Sequence, residues 1–204
     1  MVYCHPSQRS FTAQVRDEFL RGLADAGHTA TVSDLYAMGF VTDLSESEYL
    51  RDAWYDAVPP LADDVLAEQR KVNAADALVF IYPVFWTEAP ARLVGWFDRV
   101  WRYGFAYGRE AGPIPMKTLD LVLVLAIAGH DEATLAAQGR LASMRNVMLD
   151  DRVYDRARAK RFVLLDGTDR HDMARRDAHC ARHLTRVRRL AQHLGAPPER
   201  AAAT

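Results

Sequence analysis

Cysteine is nearly missing from these 204 residues: Cys4 and Cys180 are the only two and lie near opposite ends of the chain. That excludes a disulfide scaffold and a cysteine-rich metal cluster, and it fits a reducing cytoplasm. Net charge is missing too. A formal value of -1 excludes a general affinity for polyanions or membrane surfaces, so no nucleic-acid partner is expected. No apolar run approaches the length of a bilayer span. No basic, apolar and small-residue leader opens the chain, so a cytoplasmic location is expected. The G-x-G-x-x-G and Walker A signatures of dinucleotide and triphosphate binding are absent, as is any internal repeat. Low complexity is confined to Ala201-Ala202-Ala203; residues 197–204 are expected to fray beyond a single domain at 1–196.

What is present suffices for one substantial core, since half of the residues are apolar. Five segments have strand character and alternate with helical patterns. The first is Met1–Cys4, short for a central strand and suggestive of a late start or a trimmed edge. Thr29–Leu35 is β-branched; Ala77–Ile81, Leu119–Ile127 and Arg161–Leu165 are apolar almost throughout, as strands covered on both faces require. Helices are expected from Ser10 to a Gly27 cap, over Leu61–Ala75, from Pro90 through Trp101, over Thr134–Val147, and from Asp169 to Leu194, where Gly195 and Pro197 end the pattern. Residues 36–60 read as a long acidic excursion with a short helix at Glu46–Ala53, and Asp150–Ala159 as a polar link with Asp150 and Asp151 paired to Arg152 and Arg156. The alternation predicts an α/β three-layer sandwich on a five-stranded parallel sheet, order 2-1-3-4-5, a flavodoxin-like arrangement.

In such a sheet the loops after strands one, three and four meet at one crevice. The first, His5 to Thr12, carries Ser7, Arg9, Ser10 and Thr12 at a helix N-terminus, where free amides and the dipole favour a phosphate; Ser10 serves equally well as a plain N-cap. The second, Pro83 to Ala89, displays Phe85 and Trp86 as an aromatic shelf, although core or interface packing explains the same spacing. The third runs from Ala128 to Arg140. His179 and His183, spaced i, i+4 around Cys180, show no evident third ligand, so no metal is expected. From Asp151 onward 13 Lys or Arg face 7 Asp or Glu, which reads as a solvated helix face.

Three segments together resemble the NAD(P)H:quinone oxidoreductase family of diaphorase-like flavoproteins: His5-Pro6-Ser7-Gln8-Arg9-Ser10-Phe11-Thr12, Val32-Ser33-Asp34-Leu35-Tyr36, and the block from Tyr82-Pro83 to Phe105-Ala106-Tyr107, including Gly95-Trp96 and Asp98-Arg99-Val100. The likeness covers about the first 130 residues. It implies a homodimer with the active site at the interface, FAD as cofactor with FMN as the alternative, NAD(P)H as co-substrate, and a small-molecule acceptor such as a quinone. By family position His5, Ser10, Phe11 and Thr12 would hold the flavin diphosphate region, with Arg9 a further candidate at the same helix start. Pro83, Val84, Phe85 and Trp86 would run along the flavin ring, Gly129 is a further cofactor-binding candidate, and Tyr107 would line the acceptor pocket of the neighbouring subunit.

The departures concern the acceptor. Ala126-Ile127-Ala128-Gly129 stands where the family has Thr-Thr-Gly-Gly, and Thr87 and Glu88 replace an aromatic and a small residue, which would make the pocket mouth acidic. Arg140 by its charge and His130 by a hydrogen bond are the candidates to support the reduced flavin, beside Trp86 and Tyr107 at the acceptor. The expected function is therefore flavin-dependent transfer of hydride from NAD(P)H to a quinone-like or other conjugated acceptor. The alternatives are a flavin-binding regulatory subunit with little turnover and a biosynthetic tailoring flavoenzyme with a larger substrate.

Overall fold

The structure is a computed structural model and describes residues 1–194, so the Gly195 and Pro197 stop and the 197–204 tail lie outside the described residues. Its centre is a pair of long parallel strands, β3 (Ala77–Pro83) and β4 (Leu119–Ile127), joined from Ala77↔Leu121 to Pro83↔Ile127. Strand β5 (Ala157–Leu165) continues the sheet beyond β4, while β1 (Val2–Tyr3) and β2 (Ser33–Asp34) extend it on the other side. The order is β2-β1-β3-β4-β5, all parallel, as the sequence pattern predicts.

Alternation along the strands explains why these apolar runs need two covering layers. Val79, Ile81, Leu123, Leu125 and Ile127 face α1 (Phe11–Asp25) and α7 (Met173–Gln192), whose Phe19, Leu23, Cys180 and Val187 complete that core. The intervening residues Phe80, Tyr82, Val122, Val124 and Ala126 face the opposite layer. That layer holds α3 (Asp63–Ala74), α4 (Ala91–Val100), α5 (Glu132–Ala137) and α6 (Arg140–Arg145). Trp96 of α4 is fully buried against Phe80 and Phe97 at centroid distances of 5.7 and 5.3 Å, and its Nε1 donates to Glu68 Oε2 at 2.9 Å. Each such buried aromatic contributes about 1.5–3 kcal/mol by area and each ring pair about 0.5–1.5 kcal/mol more. On the other face, a Cβ on Gly22 would stand 2.6 Å from the Arg188 carbonyl oxygen, so glycine is what lets α1 and α7 approach this closely.

Several expectations need correction. Strand β2 is Ser33–Asp34 rather than Thr29–Leu35, because β1 offers partners only through Val2↔Ser33 and Tyr3↔Asp34. The expected helix Thr134–Val147 starts earlier, at Glu132, because Asp131 caps it by accepting from Thr134 N at 2.8 Å; it then breaks at Gly139, which is left-handed at φ 71°. The polar link instead contains a π-helical segment, Asn146–Val153, held by the buried Met148 and Val153, and β5 begins at Ala157, ahead of the expected Arg161. Within it the arginines take their hydrogen bonds elsewhere, Arg152 donating to Glu88 at 3.1 Å and Arg156 Nε to the Ala106 carbonyl at 2.8 Å; the Asp151 charge favours the Arg156 cation, and Asp150 faces Lys160 at 3.5 Å. Helix α7 begins after Asp172, whose side chain accepts from Arg175 N at 3.0 Å, four residues beyond the expected Asp169 start.

The excursion, by contrast, contains the expected helix, α2 (Glu46–Ala53), closed by a Ser45–Glu48 capping box. It is pinned to α4 and the turn that follows by arginines. Arg99 binds Glu48 Oε1 through Nε at 3.0 Å and Asp64 through its other amino groups, while Arg102 meets the Glu48 carbonyl and Asp52. Arg51 donates to the Tyr103 carbonyl at 2.8 Å.

Candidate functional site

The loops after β1, β3 and β4 leave neighbouring strands at one edge of the sheet. The strand ends are stitched together there by Cys4 N to Ile81 O at 3.0 Å, Val84 N to Ile127 O at 2.7 Å and Ala128 N to Leu165 O at 3.0 Å.

In the first loop the Ser7 amide donates to His5 Nδ1 at 2.9 Å. Because that nitrogen accepts, the neutral ring carries its proton on Nε2, which becomes a donor. Burial holds His5 below its ordinary value and favours this neutral form. Ser7 Oγ accepts from Arg9 N at 3.2 Å, and Ser10 Oγ accepts from Ala13 N at 3.0 Å as the N-cap of α1. The cap uses one of the amides at the helix start, and those of Phe11 and Thr12 precede the first bond within the helix. Arg9 is exposed; Phe11 and Thr12 are buried, so they can serve a ligand through backbone N–H rather than side chain. Asp34 braces the loop from β2, its Oδ2 accepting from Gln8 Nε2 at 2.9 Å while its Oδ1 takes the amides of Tyr36 and Ala37. The Val32 to Tyr36 run thus has a local task that the sequence alone did not reveal.

The second loop is a tight turn. Phe85 N donates to Glu88 O at 2.8 Å and Glu88 N to Phe85 O at 2.9 Å, with Trp86 at φ 52° and Thr87 at φ 69°. Two consecutive non-glycine residues in the left-handed region cost about 1–3 kcal/mol each, and such strain gathers where a ligand is clamped. The turn lifts the Trp86 ring almost entirely into solvent, at 99% exposure, with Phe85 half-exposed beside it; Pro83 and Val84 lead up to it from β3. Glu88 does not leave the pocket mouth acidic, because its Oε1 accepts from Arg152 at 3.1 Å and from the Ala89 amide at 2.7 Å. Arg152 also stacks over Phe97, 4.8 Å from the ring centroid.

In the third loop Ala128, Gly129 and His130 accept from the segment after β5: Thr168 Oγ1 to Ala128 O at 2.9 Å, Asp169 N to Gly129 O at 3.4 Å, and Gly167 N to His130 O at 3.2 Å. A Cβ at Gly129 would meet Asp169 Cβ at 3.4 Å, an ordinary packing contact, so no clash with the neighbouring atoms requires glycine there. His130 itself is exposed, and Arg140 is exposed at the start of α6.

Tyr107 is not at that sheet edge. It lines a hollow of about 590 Å³ with Phe97, Trp101, Asp151 and Arg152, joined to the second loop through the Arg152–Glu88 pair. Burial, then the nearby Asp52 carboxylate, push its phenol up to about 12, so it stays a neutral donor. Burial likewise pushes the Cys4 thiol up to about 12, which suits a small buried side chain rather than a nucleophile. Sequence reasoning missed Arg152 because its partner lies 64 positions away, with no local pattern to announce it.

Comparison with known proteins extends this picture. Residues 1–190 match a family described as having a flavodoxin-like fold. The NAD(P)H:quinone oxidoreductase of Methanothermobacter marburgensis is 40% identical and superposes with a TM-score of 0.88, over 97% of this chain and 96% of that one. A ribosyldihydronicotinamide dehydrogenase (quinone) of Rattus norvegicus is 39% identical over 120 residues, 52% of each chain. An NAD(P)H dehydrogenase (quinone) 1 of Cavia porcellus is 36% identical over 166 residues, 73% of this chain and 59% of that protein. The chain thus spans little more than half the length of these two curated relatives.

Proposed function

The chain belongs to the flavodoxin-like fold family, in its NAD(P)H:quinone oxidoreductase branch, and from that premise we propose that it is a flavin-dependent oxidoreductase that takes hydride from NAD(P)H and delivers the electrons to a quinone-like or other conjugated acceptor. The observation that carries this reading is the pairing of a helix start built for phosphate with a strained turn holding aromatic surface in solvent, on adjacent strand ends.

These residues fit a flavin. The α1 amides beside the Ser10 cap would cradle an anion, with the exposed Arg9 and the Nε2 donor of His5 as the nearby side-chain donors. The exposed Phe85 and Trp86, with Val84 and the buried Pro83 leading up to them from β3, would offer apolar surface to the flavin ring, and Gly129 lies on the third loop. When bound, the flavin supplies the hydride chemistry that none of these side chains can perform. The chain orients the ring and excludes water from it; His130 is the hydrogen-bond donor and Arg140 the positive charge on the third loop. FAD is the proposed flavin, with a homodimer in which Tyr107 serves the partner's site as a neutral donor. The exposed Tyr49, Trp54, Tyr55 and Val58 around the excursion supply the apolar surface such an interface needs.

The test is steady-state oxidation of NADH or NADPH by the purified chain with FAD and a simple naphthoquinone. Sustained turnover is expected, with Trp86→Ala raising the KM for the quinone more than it changes flavin affinity. Bound flavin without turnover would instead support the regulatory-subunit reading.

A further inference from the structure

The sequence offers the His179–His183 pair no third ligand by spacing, but the fold provides one. The two histidines stand one turn apart on α7 and share a face, and Asp166 follows the last residue of β5. One donor atom from each of the three lies within 4.8 Å of the others. His183 Nε2 is 3.5 Å from Asp166 Oδ1, and His179 Nδ1 is buried without a hydrogen-bond partner.

We propose that Asp166, His179 and His183 form a site for a divalent metal of the zinc type, with water in the fourth position. Two imidazoles and a carboxylate are a donor set that zinc accepts, and three protein ligands leave one place open. The neighbouring groups fit the assignment. The other carboxylate oxygen of Asp166, Oδ2, accepts from the Glu132 amide at 2.9 Å, which orients Oδ1 towards the histidines as an outer-sphere hydrogen bond should. Gly167 is left-handed at φ 63°, and a Cβ there would stand 2.6 Å from His179 Nδ1, so glycine keeps that buried nitrogen clear. His183 Nε2 donates its proton to the Asp166 carbonyl at 2.9 Å without metal. Binding through Nε2 would require the neutral ring to carry that proton on Nδ1 instead, a change of tautomer that leaves His183 a neutral imidazole ligand. Closing on a metal at roughly 2.0–2.2 Å needs the donors to draw in by about 1 Å, within reach of side-chain rotation.

The position gives the metal a task. His183 packs against Phe11, the first residue of α1, at a centroid distance of 6.5 Å, and Asp166 is tied to the loop after β4 through Glu132. A metal here would staple α7 to the end of β5 beside two of the three nucleotide loops. The assignment stands whether or not the chain binds flavin.

The test uses the full, untagged chain stripped with a chelator, titrated with Zn²⁺ by calorimetry and with Co²⁺ by visible absorption. Expected are one equivalent bound, Co²⁺ bands of tetrahedral intensity and a higher Tm with metal. His179→Gln should weaken binding by more than the roughly 10–100-fold lost when an outer-sphere partner is removed. Asp166→Asn, which keeps an acceptor for the Glu132 amide, should do the same, whereas His28→Gln at a remote position should leave the isotherm unchanged. No saturable binding by the unmodified chain, or an isotherm unaltered by His179→Gln or by Asp166→Asn, would overturn the proposal.

Discussion

Trp86 and Thr87 hold backbone angles that glycine would hold without strain. Thr87→Gly should therefore raise folding stability by up to about 1 kcal/mol, read from a urea midpoint at constant slope, because a left-handed conformation costs a non-glycine residue about 1–2 kcal/mol and glycine's lost entropy offsets part of the gain. The same variant should weaken acceptor binding if the strain serves to present Trp86; unchanged stability would show that the turn relaxes. Ser10→Ala removes a cap and should lower stability by about 1 kcal/mol. Flavin affinity should fall with it, since the loop from His5 would lose its anchor on α1. Ser10 was readable because a cap is a local pattern. Glu88 was not: its residue type suggests an acidic mouth, and only the fold brings Arg152 to neutralise it.

At the scale of elements, α4 does two things at once, covering β3 with Trp96 and Phe97 and holding the acidic excursion with Arg99. Gly95 belongs to the second task. A Cβ at this position would lie 2.6 Å from the Thr42 carbonyl oxygen, so Gly95→Ala should destabilise the chain by about 1–3 kcal/mol, seen as a lower urea midpoint. Burial alone would raise the Glu48 carboxyl, but the hydrogen bonds from Arg99 and Ser45 and the charge of Arg99 outweigh it and hold the group below its ordinary 4.5. A depressed native value means stability that is present above the unfolded pKa and lost as pH falls through the folded one. Tm should thus decline on acidification below about 4.5, more steeply than in Glu48→Gln, when followed by circular dichroism. The apolar runs of β3 and β4 and the short helix at Glu46–Ala53 were legible, since the patterns that announce them are written locally. The break at Gly139, the π-helical segment after it and the shortness of β2 were not, because each depends on which partners the fold leaves within reach.

Over the whole molecule, the parallel sheet with helices on both faces sets the β1, β3 and β4 loops side by side, and this is where sequence and structure agree most fully. Chain order and apolar runs suffice to predict that convergence. They do not predict the position of Tyr107, which lies in a separate hollow, or the third ligand for the α7 histidines. If Tyr107 completes the partner's site, the chain should sediment as a dimer, and a charge at Trp54 or Val58, both well exposed, should shift it towards monomer with loss of turnover. The central claim is that the three loops hold a flavin, and the absorption spectrum of the purified chain, with identification of the flavin released on denaturation, tests it most directly. One FAD per chain, retained or rebound, and bleached on adding NADH or NADPH is the expected result. A colourless protein that takes up neither FAD nor FMN would contradict it.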